Sequence, residues 1–133
     1  MEQDYIQSII QNYEEDLQKV KQDGRFLEYV KEQTPELCLE AVKQNGWTLK
    51  FVKEQTPEIC WEAVKKYGNA IFYVKEQTPK LCLEAVKQYG GALEYVKKQT
   101  YEICLEAVKQ NGYALQYVND HLLQKKIKLE LNL

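Results

Sequence analysis

Four cysteines are the first residues in this chain of 133 that invite a chemical reading: Cys38, Cys60, Cys82 and Cys104. Each stands 22 residues from the next, which argues against both roles cysteine usually suggests. Zinc sites take ligands two to four residues apart. Equivalent positions in stacked helices lie about 8–10 Å apart, too far for a disulfide. The expectation is therefore four free thiols acting as small apolar side chains in tight helix contacts, with no metal site and no cofactor. Nucleophilic catalysis lacks its parts. Ser8 is the only serine and His121 the only histidine, each in a terminal region. His121 is read as a solvated end residue. The glycines are too widely spaced for a phosphate loop. No catalytic residue is assigned, and the expected function is not enzymatic.

A second column of residues points to nucleic acid. Lys21, Lys43, Lys65, Lys87 and Lys109 supply one lysine per repeat, as in helical repeats that follow an RNA backbone. Glu40, Glu62, Glu84 and Glu106 stand three residues before four of them, on the same helix face. Such pairs make a neutral, solvated surface. Arg25 is the only arginine and the net charge is −2, so the charge pattern favours a protein partner over RNA or a lipid surface.

These columns exist because the chain repeats one phrase. It reads Lys53-Glu54-Gln55-Thr56-Pro57-Glu58-Ile59-Cys60-Trp61-Glu62-Ala63-Val64 in one copy and begins again at Lys31, Lys75 and Lys97. A period of this length marks a stacked repeat. Thr34 before Pro35 is a helix start, the hydroxyl capping a free N–H and proline fitting the first helical position. Leu37, Cys38, Leu39, Ala41 and Val42 then cover a broad apolar arc at helical spacing. Asn45-Gly46 is expected to end the helix, with glycine in the left-handed conformation. A second, shorter helix follows over Thr48 to Glu54. A strand of a leucine-rich repeat is the rival, but the L-x-x-L-x-L frame is absent.

The expected fold is thus all-α, a short helical-repeat solenoid of stacked helix pairs in a single domain, 1–133. Residues 12–118 hold five copies. The first is degenerate: Glu15 and Asp16 replace an apolar pair, as suits a terminal unit with one face in water. Residues 1–11 form an N-terminal cap, with Ile6, Ile9 and Ile10 in a short helix covering the first unit. Residues 119–133 form a divergent C-terminal cap. Ile127, Leu129, Leu131 and Leu133 alternate with polar residues like a strand. That leaves 127–133 either to pair in trans or to form a frayed or helical cap. No apolar run reaches membrane-spanning length, and the acidic start does not resemble a secretory signal, so a cytoplasmic location is expected.

The phrase T-P-E-[LI]-C-L-E-A-V-K-Q-N-G resembles a family of short helical repeats catalogued as a domain of unknown function. Such repeats recur in proteins of giant viruses, intracellular bacteria and mobile elements. The resemblance runs from about Asn12 to Val118 and rests on Thr34, Pro35, Cys38, Ala41, Val42 and Gly46. Tyr101 in place of proline and Lys80 in place of glutamate depart from it. It implies a binding protein. One version is a small inhibitor docking on a larger host or bacterial-immunity enzyme, such as a CRISPR nuclease.

Comparing copies within the chain shows where a partner would bind. Most positions barely change, but three columns around the glycine vary. They are Arg25, Trp47, Asn69, Gly91, Tyr113; Asp23, Asn45, Tyr67, Tyr89, Asn111; and Glu28, Lys50, Phe72, Glu94, Gln116. Aromatics at positions a repeat does not need suggest an interface. The candidate partner-binding residues are Arg25, Trp47, Lys50, Tyr67, Phe72, Tyr89 and Tyr113, facing a larger protein.

Overall fold

Local sequence chemistry starts every repeat helix in the same way. In the computed structural model, which describes residues 1–133, Thr34, Thr56, Thr78 and Thr100 each accept a hydrogen bond on the side-chain oxygen from the backbone N–H three residues on. The helices that follow are α2 (Pro35–Gln44), α3 (Pro57–Lys66), α4 (Pro79–Gln88) and α5 (Tyr101–Gln110). Each buries four residues at helical spacing, as Leu37, Cys38, Ala41 and Val42 in α2.

The second half of each unit is a 3-10 helix. These are η1 (Gly24–Tyr29), η2 (Gly46–Phe51), η3 (Gly68–Tyr73), η4 (Gly90–Tyr95) and η5 (Gly112–Tyr117). The reason is visible in which residues are buried. Gly46, Leu49 and Val52 recur every three residues, as do Gly68, Ile71 and Val74. A 3-10 helix has three residues per turn, so this spacing keeps all of them on one face. Six α-helices and five 3-10 helices alternate along the chain with no strand, each packing on its sequence neighbours. The fold is an all-α helical repeat. One apolar core of 30 residues runs through it from Val20 to Ile127.

The glycines do not do what the sequence suggests. No glycine has a positive φ. The helices end instead on an extended residue, such as Asn45 at φ −153° and ψ 109°. What glycine provides is closeness. A Cβ on Gly46, Gly68 or Gly90 would lie 2.6, 2.5 or 2.4 Å from the carbonyl oxygen of Ala63, Ala85 or Ala107 in the next repeat. Gly24 meets Ala41 in the same way at 3.0 Å, while Gly112, with no further repeat after it, meets nothing within 4 Å.

A column of glutamines joins the units on the opposite edge. The Gln33 side-chain amide donates to the Phe51 carbonyl at 2.8 Å, and its oxygen accepts from the Lys53 N–H at 2.9 Å. Gln55, Gln77 and Gln99 repeat both bonds one unit further on. Each glutamine thereby satisfies one donor and one acceptor of loop backbone that would otherwise lack a partner. His121 stands where the next glutamine would fall, beyond the last joint.

The N-terminal end differs from the expectation, while the C-terminal end takes the helical of the two forms left open. The separate N-terminal cap does not exist: α1 is one helix, Glu2–Gln22, which includes the first repeat helix. Its Val20 is buried, and Leu17 and Tyr13 pack on the core, but Ile6, Ile9 and Ile10 lie beyond the stack and are exposed. At the other end the alternating segment is no strand. It belongs to α6 (His121–Leu131), capped by Asp120, with Ile127 buried. Tyrosine replaces proline at both ends of the stack. The Tyr13 hydroxyl bonds Glu36, and the Tyr101 hydroxyl bonds Glu130 of α6.

The glycine contacts lead to a paired prediction. Gly68→Ala forces a methyl into the Ala85 carbonyl and should destabilise by about 1–3 kcal/mol, the usual cost of overpacking. Gly112→Ala has open space and ordinary φ, and should be neutral or stabilise by up to about 1 kcal/mol. Urea unfolding of the two variants checks this, and equal losses would refute the close-approach role.

Candidate partner-binding surface

Every 3-10 helix ends in an aromatic residue: Tyr29, Phe51, Tyr73, Tyr95 and Tyr117. This constant column was not singled out from the sequence, because at period 22 it resembles the other invariant positions. Its Phe51, Tyr73, Tyr95 and Tyr117 are half-buried and pack on the core, while Tyr29 is exposed. They form the base on which the variable aromatics sit.

Three of the predicted residues come together there. Trp47 meets Tyr67 edge-on at 5.6 Å between centroids and leans on Tyr73 at 6.3 Å. Phe72 stands edge-on to Tyr73 and to Tyr95, 5.0 Å from each. Tyr67, Trp47, Tyr73, Phe72 and Tyr95 thus form one run of rings across neighbouring repeats, with Trp47, Tyr67 and Phe72 exposed. These edge-on geometries are favourable for aromatic quadrupoles. Tyr89 folds over Gly91, where any Cβ would come within 2.8 Å of its ring. The Glu94 carboxylate, with smaller contributions from partial burial and from Tyr117, Tyr89 and Tyr73, raises the Tyr95 phenol above its ordinary pKa.

The remaining predicted residues lie apart from these rings. Arg25 is held by Asp23, through Nη2 to Oδ2 at 2.8 Å and Nε to Oδ1 at 3.0 Å. That hydrogen-bonded pair lowers the Asp23 carboxyl and raises the guanidinium. Lys50 lies over the Phe51 ring, 4.9 Å from its centroid. Tyr113, on the last 3-10 helix, is 82% exposed and makes none of these ring contacts.

The column preceding each glycine is more informative than its exposure. Asp23, Asn45 and Asn111 each accept a hydrogen bond on the side chain from the backbone N–H two residues on, capping the 3-10 helix. Tyr67 and Tyr89 occupy the same place with the same extended backbone and cap nothing. Here the ring has displaced a stabilising interaction. Between these two tyrosines lies a cleft of about 350 Å³ lined by Lys66, Tyr67, Gly68, Asn69, Gln88 and Tyr89. The Asn69 side-chain oxygen is buried with no hydrogen-bond partner.

Elsewhere the side chains serve the stack. Lys80, the departure from glutamate, sits 5.0 Å from the Trp61 ring centroid, where other repeats have leucine at Trp61's position. On the charged columns Lys65 pairs with Glu62 at 3.3 Å and Lys109 with Glu106 at 3.9 Å. The four cysteines are free and buried, each Sγ lying 3.5–3.8 Å from the oxygen of the joining glutamine. Burial pushes all four thiols up, Cys104 to about 11 with a smaller contribution from Asp120.

A family model described as "Domain of unknown function (DUF4116)" matches residues 34–77 and 79–123, each stretch covering two repeats. No curated protein and no solved structure matches the chain.

Thiolate is the reactive form of cysteine, so the raised thiols should resist labelling. At neutral pH all four should react with a soluble disulfide reagent at least about 100-fold more slowly in the native protein than in denaturant. Rapid reaction of any one thiol in the folded state would show that its site opens to solvent.

Proposed function

The chain belongs to the repeat family described as domain of unknown function DUF4116, and from that premise we propose that it is a non-enzymatic docking module. It binds a larger protein through the aromatic edge formed by Trp47, Tyr67, Phe72 and Tyr89. The observation that carries this reading is the lost cap. Three repeats keep Asp or Asn before the glycine and gain a hydrogen bond, while two carry tyrosine and forgo it. The contacts of Tyr67 with Trp47 and of Tyr89 over Gly91 offset part of a cap worth about 1 kcal/mol at a helix start. With both rings still exposed, they give drift only a partial reason for the exchange. A partner that buries those rings supplies the rest, since rigid aromatics dominate interface hot spots.

The cleft between Tyr67 and Tyr89 fits the same reading, because it offers about 350 Å³ beside two exposed rings to a partner side chain. An RNA-binding role has weaker support. The lysine column is partly neutralised by ion pairs at Lys65 and Lys109.

The test draws its substitutions from the protein's own repeats. Trp47→Asn, Tyr67→Asn, Phe72→Glu and Tyr89→Asn introduce residues already present in these columns. Combined, they should leave helical content intact and lower the melting temperature only modestly, because the two restored caps offset the lost ring contacts. Affinity for a partner captured from the source cells, measured by calorimetry, should fall by about 30-fold or more. The proposal fails if the variant unfolds, which would place the rings in the core, or if it binds as tightly as the parent. Steep salt dependence, with loss of binding in Lys43→Glu, Lys65→Glu, Lys87→Glu, would assign the surface to nucleic acid instead.

A further inference from the structure

The two ends of the stack carry unpartnered apolar helix faces of opposite charge. In α1 the residues that pack on the first repeat, Tyr13, Leu17 and Val20, continue towards the N-terminus as Ile6, Ile9 and Ile10 on the same face. The stack covers only the C-terminal part of this stripe. Ile6, Ile9 and Ile10 are 44–51% exposed. Glu2 lies on the stripe, Glu14 and Asp16 flank its root, and no lysine or arginine occurs between Glu2 and Gln18.

In α6 the inner face is Leu123, Ile127 and Leu131, which packs on the core. The outer face carries Leu122 and Leu129, 75% and 80% exposed, and Leu133, 65% exposed, follows beyond the turn at Asn132. Lys125 and Lys126 flank this second stripe, Lys126 with its Nζ 4.3 Å from the Tyr101 ring centroid. The one acidic residue of α6, Glu130, is engaged with Tyr101.

We propose that these faces bind each other between two copies of this chain, the acidic overhang of α1 receiving the outer face of α6 from the next molecule. The occupant is a second copy for two reasons. The two faces have opposite charge. In addition, α1 and α6 lie at opposite ends of a stack in which elements touch only near neighbours, so one chain cannot close the contact on itself. The contact is heterologous and propagates head to tail. It continues the end-to-end logic by which the repeats themselves stack. It is independent of the aromatic edge, which lies on the 3-10 helices.

Two variants, each disabling one face, test this. Ile6→Ser, Ile9→Ser, Ile10→Ser removes the α1 stripe, and Leu122→Ser, Leu129→Ser removes the α6 stripe. Sedimentation velocity of the parent should show association rising with concentration up to about 0.3 mM, the range of a small and weak interface. It should weaken with added salt. Each variant alone should remain monomeric. Their equimolar mixture should form dimers and nothing larger, because each molecule retains one working face. If the serine changes in α1 reduce its helicity by circular dichroism, Lys125→Glu, Lys126→Glu replaces them. That variant should lose association at least about tenfold and regain it when mixed with Glu2→Lys, Glu14→Lys. A parent that stays monomeric throughout this range overturns the proposal. So does a mixture that fails to dimerise, or association that survives in either single-face variant.

Discussion

The stack depends on one close approach: the glycine that opens each 3-10 helix against the alanine carbonyl of the next α-helix. Between 2.4 and 3.0 Å separates a notional Cβ from that oxygen at four successive joints, closer than any side chain tolerates. Both residues are therefore required together. A larger side chain in place of alanine would crowd the same contact, since Ala41, Ala63, Ala85 and Ala107 are all fully buried. With the helices held this near, the rest follows. The four cysteines lie buried beside the glutamines, and valine, leucine and isoleucine fill the remaining core.

A contact that short sets distance but not register. Register comes from the glutamines at the opposite edge, where Gln33, Gln55, Gln77 and Gln99 each span a joint through one donated and one accepted hydrogen bond. An amide is suited to this because it carries a donor and an acceptor on one planar group. The constancy of Gln and Thr in this phrase, kept even where the fourth copy reads K-K-Q-T-Y, is then a consequence of backbone satisfaction. With one edge given to glutamine and the interior to glycine and alanine, the surface left free comprises the outer side of the 3-10 helices, the polar faces of the α-helices and the ends.

Most of this architecture was legible in the sequence. The repeat length, the threonine caps, the proline at the first helical position and the apolar arc of α2 to α5 each follow from local chemistry, and the structure has them all. The misreadings share a cause: each used a local rule where a tertiary contact decides. Glycine after a helix usually means a left-handed turn, yet here its neighbour across the joint determines it, and one chain of letters does not show that neighbour. At the C-terminal end the sequence left a strand and a helical cap both open, and Asp120 decides it by capping a helix that buries Ile127. Ile6, Ile9 and Ile10 suggested a covering helix because apolar residues are expected to be buried. The glutamine ladder and the three-residue spacing G-x-x-[LI]-x-x-V of the 3-10 helices were both written in the sequence. The first was hidden because glutamine is ordinarily a surface residue, the second because a three-residue period is rarely sought.

The candidate surface was legible by a different route, by asking which positions the stack does not need. Trp47, Tyr67 and Phe72 do share one run of rings, whereas Arg25, held by Asp23, and Tyr113, on the last repeat, stand outside it. Variation alone could not separate use from drift, because both leave a column uneven. The structure adds the missing weight at Tyr67 and Tyr89, where the alternatives found elsewhere in the column cap the helix and these do not. A residue that is merely unconstrained settles towards what stabilises the fold. At Tyr67 and Tyr89 the loss of that cap is the ground on which the docking role proposed above stands.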